Sequence, residues 1–141
     1  MTEAFVSIHN GQALSLKGIP VVPVSEFRRA TLEDVASGGR IISFFGNPVG
    51  DAVRIYILLA HDREGRIGVL STDVGERYAS LTPECSQAHW FEREIAEQWG
   101  VRPEGHPWLK PIRFHPPYRR GKGLWRSPDG RAPLPSVTDF F

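Results

Sequence analysis

Between residues 52 and 62 the chain alternates, "AVRIYILLAHD": Val53, Ile55, Ile57 and Leu59 recur at every second position, and Arg54 and Tyr56 stand between them. A period of two puts the first set on one face of a strand and gives the other face a more polar character. "RIISFFGN" (40–47) and "GRIGVLST" (65–72) flank it as further β-rich stretches. Asn47-Pro48-Val49-Gly50 and Arg63-Glu64-Gly65 are turn sequences short enough to join the three strands as an antiparallel meander. "GIPVVPV" (18–24) is also β-rich, but Pro20 and Pro23 cannot donate to a ladder, which suits an edge strand or its approach.

Two stretches switch to the helical period. "EFRRATLEDVAS" (26–37) brings Phe27, Thr31, Leu32 and Val35 to one side, with Ser25 placed to cap its start and Gly38-Gly39 to stop it. A second helix is predicted from "SLTPE" (80–84), with Thr82 as N-cap and Pro83 at the first helical position, through "HWFEREIAEQWG" (89–100). At 100° per residue Ala88, Phe91, Ile95 and Trp99 form its core stripe. Glu92 falls on the margin of that stripe, Trp90 on the back, and Glu94 and Glu97 on the side away from the core. Gly100 supplies a left-handed residue after Trp99, and Val101 is placed to fold back on the last turn. The expected fold is α+β: a small antiparallel sheet of three to four strands with helices packed on one face, over residues 1–112, followed by an extended, basic, Pro-rich arm over 113–141.

Charge sharpens that division. Residues 1–100 carry nine Lys/Arg against thirteen Asp/Glu, whereas residues 101–131 carry eight basic residues against Glu104 and Asp129. Eight of the twelve prolines lie between Pro103 and Pro135, so no long helix is expected there. A single cysteine, Cys85, excludes an intramolecular disulfide and a cysteine cage, and agrees with a reducing, intracellular setting. No apolar run approaches the roughly 18 residues of a membrane span, so a membrane connection is expected only through a partner.

His89, Glu92, Glu94, Glu97 and His106 are the residues suited to metal or acid–base chemistry, but their spacing does not fit it. A zinc-protease helix needs two histidines four apart around a glutamate, and a di-iron bundle needs Glu-x-x-His from several helices. Here a single His89-x-x-Glu92 occurs, and Arg93 and Glu97, four apart, read as a surface pair worth about 0.3 kcal/mol. Cys85 near a helix start is either a dipole-favoured thiolate or a small buried apolar residue. His106, in the turn Gly105-His106-Pro107, either ligates or bonds a neighbouring backbone group. The arm interleaves its cations with Trp108, Phe114, Tyr118 and Trp125, a pattern open to two readings. One is a single-stranded nucleic-acid binder that stacks bases. The other is an arm laid on an acidic protein partner. Trp90, unless its own tail roofs it, marks a docking surface.

"FEREIAEQWGVRPEGHPWLKPI" (91–112) resembles the signature of the 30-kDa subunit of respiratory NADH dehydrogenase, complex I. Glu92, Arg93, Glu94, Glu97, Trp99, His106, Lys110 and Ile112 occupy its matching places, as do Gly100 and the Gly105-His106-Pro107 turn. Gln98 and Arg113 stand where apolar residues are usual, and Trp108 stands where the respiratory form usually has Asp. With "FHPPYRRGKGLW" (114–125) in place of a second Gly-His-Pro turn, the chain is more similar to the N-terminal domain of the large subunit of membrane-bound, energy-converting nickel–iron hydrogenases, including formate hydrogenlyase. The resemblance implies an accessory subunit without cofactor, metal or catalytic residues. It would dock to the large catalytic subunit and the iron–sulfur subunits, peripheral on the cytoplasmic face of the membrane, with no nucleic acid as partner. Glu92, Arg93, Glu94, Glu97 and His106 then carry structural and interface roles. Glu92 is expected to bond to the Gly100–His106 turn or to an arginine.

Overall fold

The computed structural model describes residues 3–125; the remainder of the predicted arm, 126–141, lies outside the described residues. Four antiparallel strands, β1 (Val6–His9), β2 (Arg40–Val49), β3 (Ala52–His61) and β4 (Arg66–Val74), form a sheet in the order β1-β4-β3-β2. The predicted meander is β2-β3-β4. Helices α1 (Val24–Ala36) and α2 (His89–Trp99) both pack on one face of it. Val53, Ile55, Ile57 and Leu59 line that face and meet Phe27 and Ala30 of α1 and Ile95 of α2, while Phe44 contacts Phe27 and Phe91 ring to ring.

A second, two-stranded parallel pair joins β5 (Arg77–Ala79) to β6 (Arg102–Glu104). Parallel neighbours need a crossover, and α2 is that crossover. The chain therefore leaves β5, turns, runs along α2 and returns beside its own starting point, so residues 80–82 and 104–106 meet near the start of that helix, where the Ser80 N–H donates to the Glu104 carbonyl at 2.9 Å, while Gly100 closes its far end. Gly100 ends α2 at φ +66, donating its N–H to the Ala96 carbonyl at 3.0 Å. Only glycine fits there for a second reason: a Cβ would stand 1.7 Å from the Lys122 carbonyl oxygen. Gly46 answers a similar demand on β2, because the Trp99 indole lies where its Cβ would be, 2.6 Å from Cδ1.

Three expectations are corrected. Helix α1 begins at Val24 behind Pro23, with no side-chain cap from Ser25. Helix α2 begins at His89, after a 3-10 turn over Ser86–Ala88, so Thr82 is not its N-cap. A carboxylate of α2 recruits the Thr82 hydroxyl and N–H instead. Residues 18–24 contribute a single parallel bridge, Val21 to Ser71, and the edge strands are β2 and β1, the latter a short run that the sequence does not announce. The sheet face opposite the helices carries Arg54 and Tyr56 as expected, with apolar rows beside them.

Register shows why. Cross-strand rows on that outer face read Phe45–Tyr56–Ser71–Val21, Ser43–Leu58–Val69–Val6 and Ala60–Ile67–Ile8. Phe45 stacks on Tyr56 with ring centroids 5.4 Å apart and remains 42% exposed. None of these side chains belongs to the core cluster under the helices. The charges on this face close on each other: Arg54 binds both carboxylate oxygens of Asp73 at 2.6 and 2.8 Å, and Arg40 binds Asp62 at 3.0 and 2.8 Å. Each arginine holds its aspartate below the usual carboxylate range through those hydrogen bonds.

Candidate functional site

Three charged residues of α2, Glu92, Arg93 and Glu97, are buried. Glu92 is 0% exposed, and its carboxylate accepts four hydrogen bonds from one short segment. The donors are the Ser80 hydroxyl at 2.6 Å, the Leu81 N–H at 2.8 Å, the Thr82 N–H at 3.1 Å and the Thr82 hydroxyl at 2.6 Å. The partner of Glu92 is thus the turn after β5, not the Gly100–His106 turn and not an arginine. Burial, and then the neighbouring Glu92 carboxylate, push the Tyr78 phenol well above its ordinary pKa.

Arg93 and Glu97 are 4% and 5% exposed, so the expected surface pair does not form. Arg93 donates from Nε to the Lys110 carbonyl at 2.9 Å and from Nη2 to the Pro111 carbonyl at 3.1 Å. Glu97 accepts the N–H groups of Ile112, Arg113 and His115 at 2.7, 2.9 and 2.9 Å. Helical spacing explains the division: 92 and 93 differ by 100°, so they reach different loops, whereas 93 and 97 lie one turn apart and grip consecutive parts of 110–115. Glu94, farther around the helix, pairs with Arg113 at 2.5 Å and accepts from the Gln98 amide at 3.2 Å. The described start of the arm follows the same course. The Tyr118 N–H donates to the Gln98 carbonyl at 2.7 Å, the Tyr118 ring lies 5.3 Å from Trp99, and Lys122 pairs with Glu76 at 3.1 Å.

On the back of α2, Trp90 is 60% exposed and no described part of the tail roofs it. The Arg93 guanidinium sits 4.9 Å from the ring centroid of Trp90 and 4.9 Å from that of Trp108, and the Lys110 ammonium is 5.3 Å from Trp108. His89 stacks on His106 at 5.1 Å and on Trp108 at 5.9 Å. Trp90, Arg93 and Trp108 therefore form one aromatic–cation stack at the surface, held from behind by the Arg93 bonds to 110–111. Trp108 was legible only as one of several tail aromatics; its pairing with Trp90 depends on the turn Gly105-His106-Pro107, where Gly105 takes φ +81.

His106 bonds backbone groups, one of its two expected readings. The His89 carbonyl, 3.2 Å from Nε2, can only accept, so Nε2 carries the proton, and Nδ1 accepts the Trp108 N–H at 3.1 Å. Protonating Nδ1 would break that second bond. Burial lowers the pKa of His106, against a smaller raising effect of its bond to His89; burial and then neighbouring His106 lower that of His89. A histidine depressed in the folded state takes its proton first in the unfolded chain, whose ordinary value is about 6.5. Stability is accordingly level above that pH and falls as pH drops below it, through the depressed folded values. A denaturant midpoint lower at pH 5.5 than at 7.5, with the difference reduced in His89→Gln/His106→Gln, is the expected measurement.

The reactive possibilities of the site are limited by these bonds. Glu92 and Glu97 have their oxygens filled by donors of their own chain. Cys85 is buried, and burial pushes its thiol pKa up, away from a thiolate. Among the described residues no group of three His, Cys, Asp or Glu side chains is placed to hold a metal ion. Sequence patterning also passed over a buried pair, Asp34 of α1 with His61 Nε2 at 2.7 Å; its signal was the place of Asp34 three residues after Thr31 on the inner stripe.

Comparison with known proteins bears on this helix directly. Residues 41–124 match the family model of the respiratory-chain NADH dehydrogenase 30 Kd subunit, a span from β2 through α2 to the described arm. A protein of Nitrosospira multiformis, named as the C/D subunit of NADH-quinone oxidoreductase, is 35% identical over 80 residues, which are 55% of this chain and 13% of that protein. One of Methylococcus capsulatus with the same name is 28% identical over 89 residues, 62% of this chain and 15% of that protein. The chain thus spans a small fraction of the length of these relatives.

Proposed function

Since the chain belongs to the family of the respiratory-chain NADH dehydrogenase 30-kDa subunit, we propose that it is an accessory, cofactor-free part of a membrane-associated redox complex of the NADH:quinone oxidoreductase or energy-converting nickel–iron hydrogenase type. In this role it docks to the large catalytic subunit and to the iron–sulfur subunits of the electron-transfer arm, on the cytoplasmic face of the membrane. None of the described helices is long and apolar enough to cross a membrane, which fits attachment through partners. The observation that carries the reading is the allocation of the motif on α2. Glu92, Arg93 and Glu97 are committed to their own backbone, and what they hold out to solvent is a rigid aromatic–cation surface of Trp90 and Trp108. Tryptophan and arginine in such stacks are the usual anchors of protein interfaces.

Affinity purification from native membranes tests this. The large and iron–sulfur subunits are expected to co-purify, and their identity distinguishes the two types of complex. Trp90→Ala should leave the melting curve unchanged while reducing recovery of partner subunits; an interfacial tryptophan is worth about 2 kcal/mol, roughly thirtyfold in affinity. Early melting of that variant would place Trp90 in the fold instead. The nucleic-acid reading gains nothing from the described arm, where Arg113 and Lys122 close on Glu94 and Glu76.

A further inference from the structure

Trp90 and Trp108 enter the surface stack by different routes. Trp90 is a residue of α2, so the helix fixes its position. Trp108 belongs to the turn after β6, and a histidine ring links it to the helix. His106 Nε2–H donates to the carbonyl of His89, the first residue of α2, at 3.2 Å, and Nδ1 accepts the Trp108 N–H at 3.1 Å. The Trp108 ring then lies 4.9 Å from the Arg93 guanidinium and 5.9 Å from the His89 ring, with the residue 38% exposed. One half of the stack is thus held by helical backbone and the other through a neutral imidazole.

We infer that His106 is a proton-operated latch on this surface: when Nδ1 takes a proton, Trp108 leaves the stack and Trp90 remains. The inference rests on the functional reading above and adds to it how the docking surface is regulated. The step is a protonation from water, with no bond broken except hydrogen bonds. A protonated Nδ1 and the Trp108 N–H are both donors, and two donors do not share a 3.1 Å contact. The bond from Nε2–H to His89 is unaffected, which holds the ring and leaves the Trp108 backbone to move. Because Trp108 stands at the surface, water meets its freed N–H, and the core under α2 is not involved. Three groups of α2 face the ring: His89 stacks on it at 5.1 Å, Glu92 favours a positive charge there and Arg93 opposes one. On the adjoining strands Arg77 and Glu104 pair with each other at 3.1 Å, and the Lys110 ammonium lies 5.3 Å from the Trp108 ring. Burial outweighs these neighbours and lowers the His106 pKa, so the latch is closed at neutral pH and opens on acidification.

Nitrogen-15 NMR of the full chain, titrated from pH 7.5 to 5.0, tests the latch. The backbone amide and indole N–H of Trp108 should shift with the same midpoint as the His106 ring, below the ordinary value of about 6.5, while those of Trp99 stay in place. A His106 titration that leaves the Trp108 resonances unmoved overturns the inference. His106→Asn is the control, because an asparagine oxygen accepts the N–H two residues on and has no proton to take up in this range. In that variant the Trp108 resonances should be level with pH; if they still titrate, another group moves Trp108 and the inference fails. Should the variant not fold, the wild-type titration decides by itself. In the assembled complex, recovery of partner subunits should fall roughly tenfold between pH 7.5 and 5.0 for the wild-type chain and less than about twofold for His106→Asn. Equal wild-type recovery at the two pH values overturns the regulatory role. Absence of partners at pH 7.5 overturns the functional reading and the regulatory role with it, whereas the latch itself stands or falls on the NMR titration.

Discussion

Glu92→Ala is expected to lower the melting temperature of the chain by roughly 10 °C. The carboxylate takes four hydrogen bonds from residues 80–82, and at 0% exposure no water replaces it. Truncation leaves the Ser80 and Thr82 hydroxyls and two backbone N–H groups facing a void. Unsatisfied buried donors cost about 1–3 kcal/mol each, and partial rearrangement of the turn reduces the sum to about 3 kcal/mol. For a chain of this size each kcal/mol corresponds to roughly 3–4 °C. Glu92→Gln should fall between the two, because the amide nitrogen is itself a donor and meets donors where an acceptor is required. A thermal melt followed by circular dichroism checks the order wild type, Gln, Ala; equal midpoints would show that the turn is held by other contacts.

Glu97→Ala is expected to act differently. Its three bonds go to the N–H groups of Ile112, Arg113 and His115, in a loop that lies largely at the surface. Once released, those amides can be hydrated, so the global loss should be only about 1–2 kcal/mol. The local effect is larger. The loop carries the Pro111 carbonyl that binds Arg93, and it leads into Tyr118 and Lys122, which rest on the end of α2. Hydrogen exchange at residues 112, 113, 115 and 118 should accelerate at least tenfold, while amides of β3 keep their protection. Protection unchanged at 112–115 would mean that the loop is ordered without the carboxylate. The contrast between the two glutamates tests the division of roles along α2: one secures the fold, the other secures the surface that the fold presents.

The core was readable in advance because it depends on local periodicity. Val53, Ile55, Ile57 and Leu59 alternate, Phe91, Ile95 and Trp99 recur at the helical spacing, and each set lies where its period placed it. Gly100 was readable as a helix stop for a similarly local reason, but its second role against the Lys122 carbonyl was not. The motif of the family located the site on α2 without saying what its residues touch. Arg93 and Glu97 looked like a surface pair because helix geometry alone puts them one turn apart; the loop 110–115, packed over them, removed them from solvent and gave each a backbone partner.

The sequence by itself determined the α+β class, the strand order of the meander, the inner faces of both helices and the family to which the chain is related. Tertiary structure alone decided which way the charged side chains turn and what covers them. Glu92 meets residues 80–82 only because a parallel β5–β6 pair forces α2 to cross between them, and the outer sheet face gains an apolar row only when register sets Leu58 beside Val69 and Val6. Periodicity fixes the direction of a side chain relative to its own element. The partner at the end of a long polar side chain, and the neighbours across a sheet, are set by contacts between segments distant in the chain, and these exist only once the chain has folded.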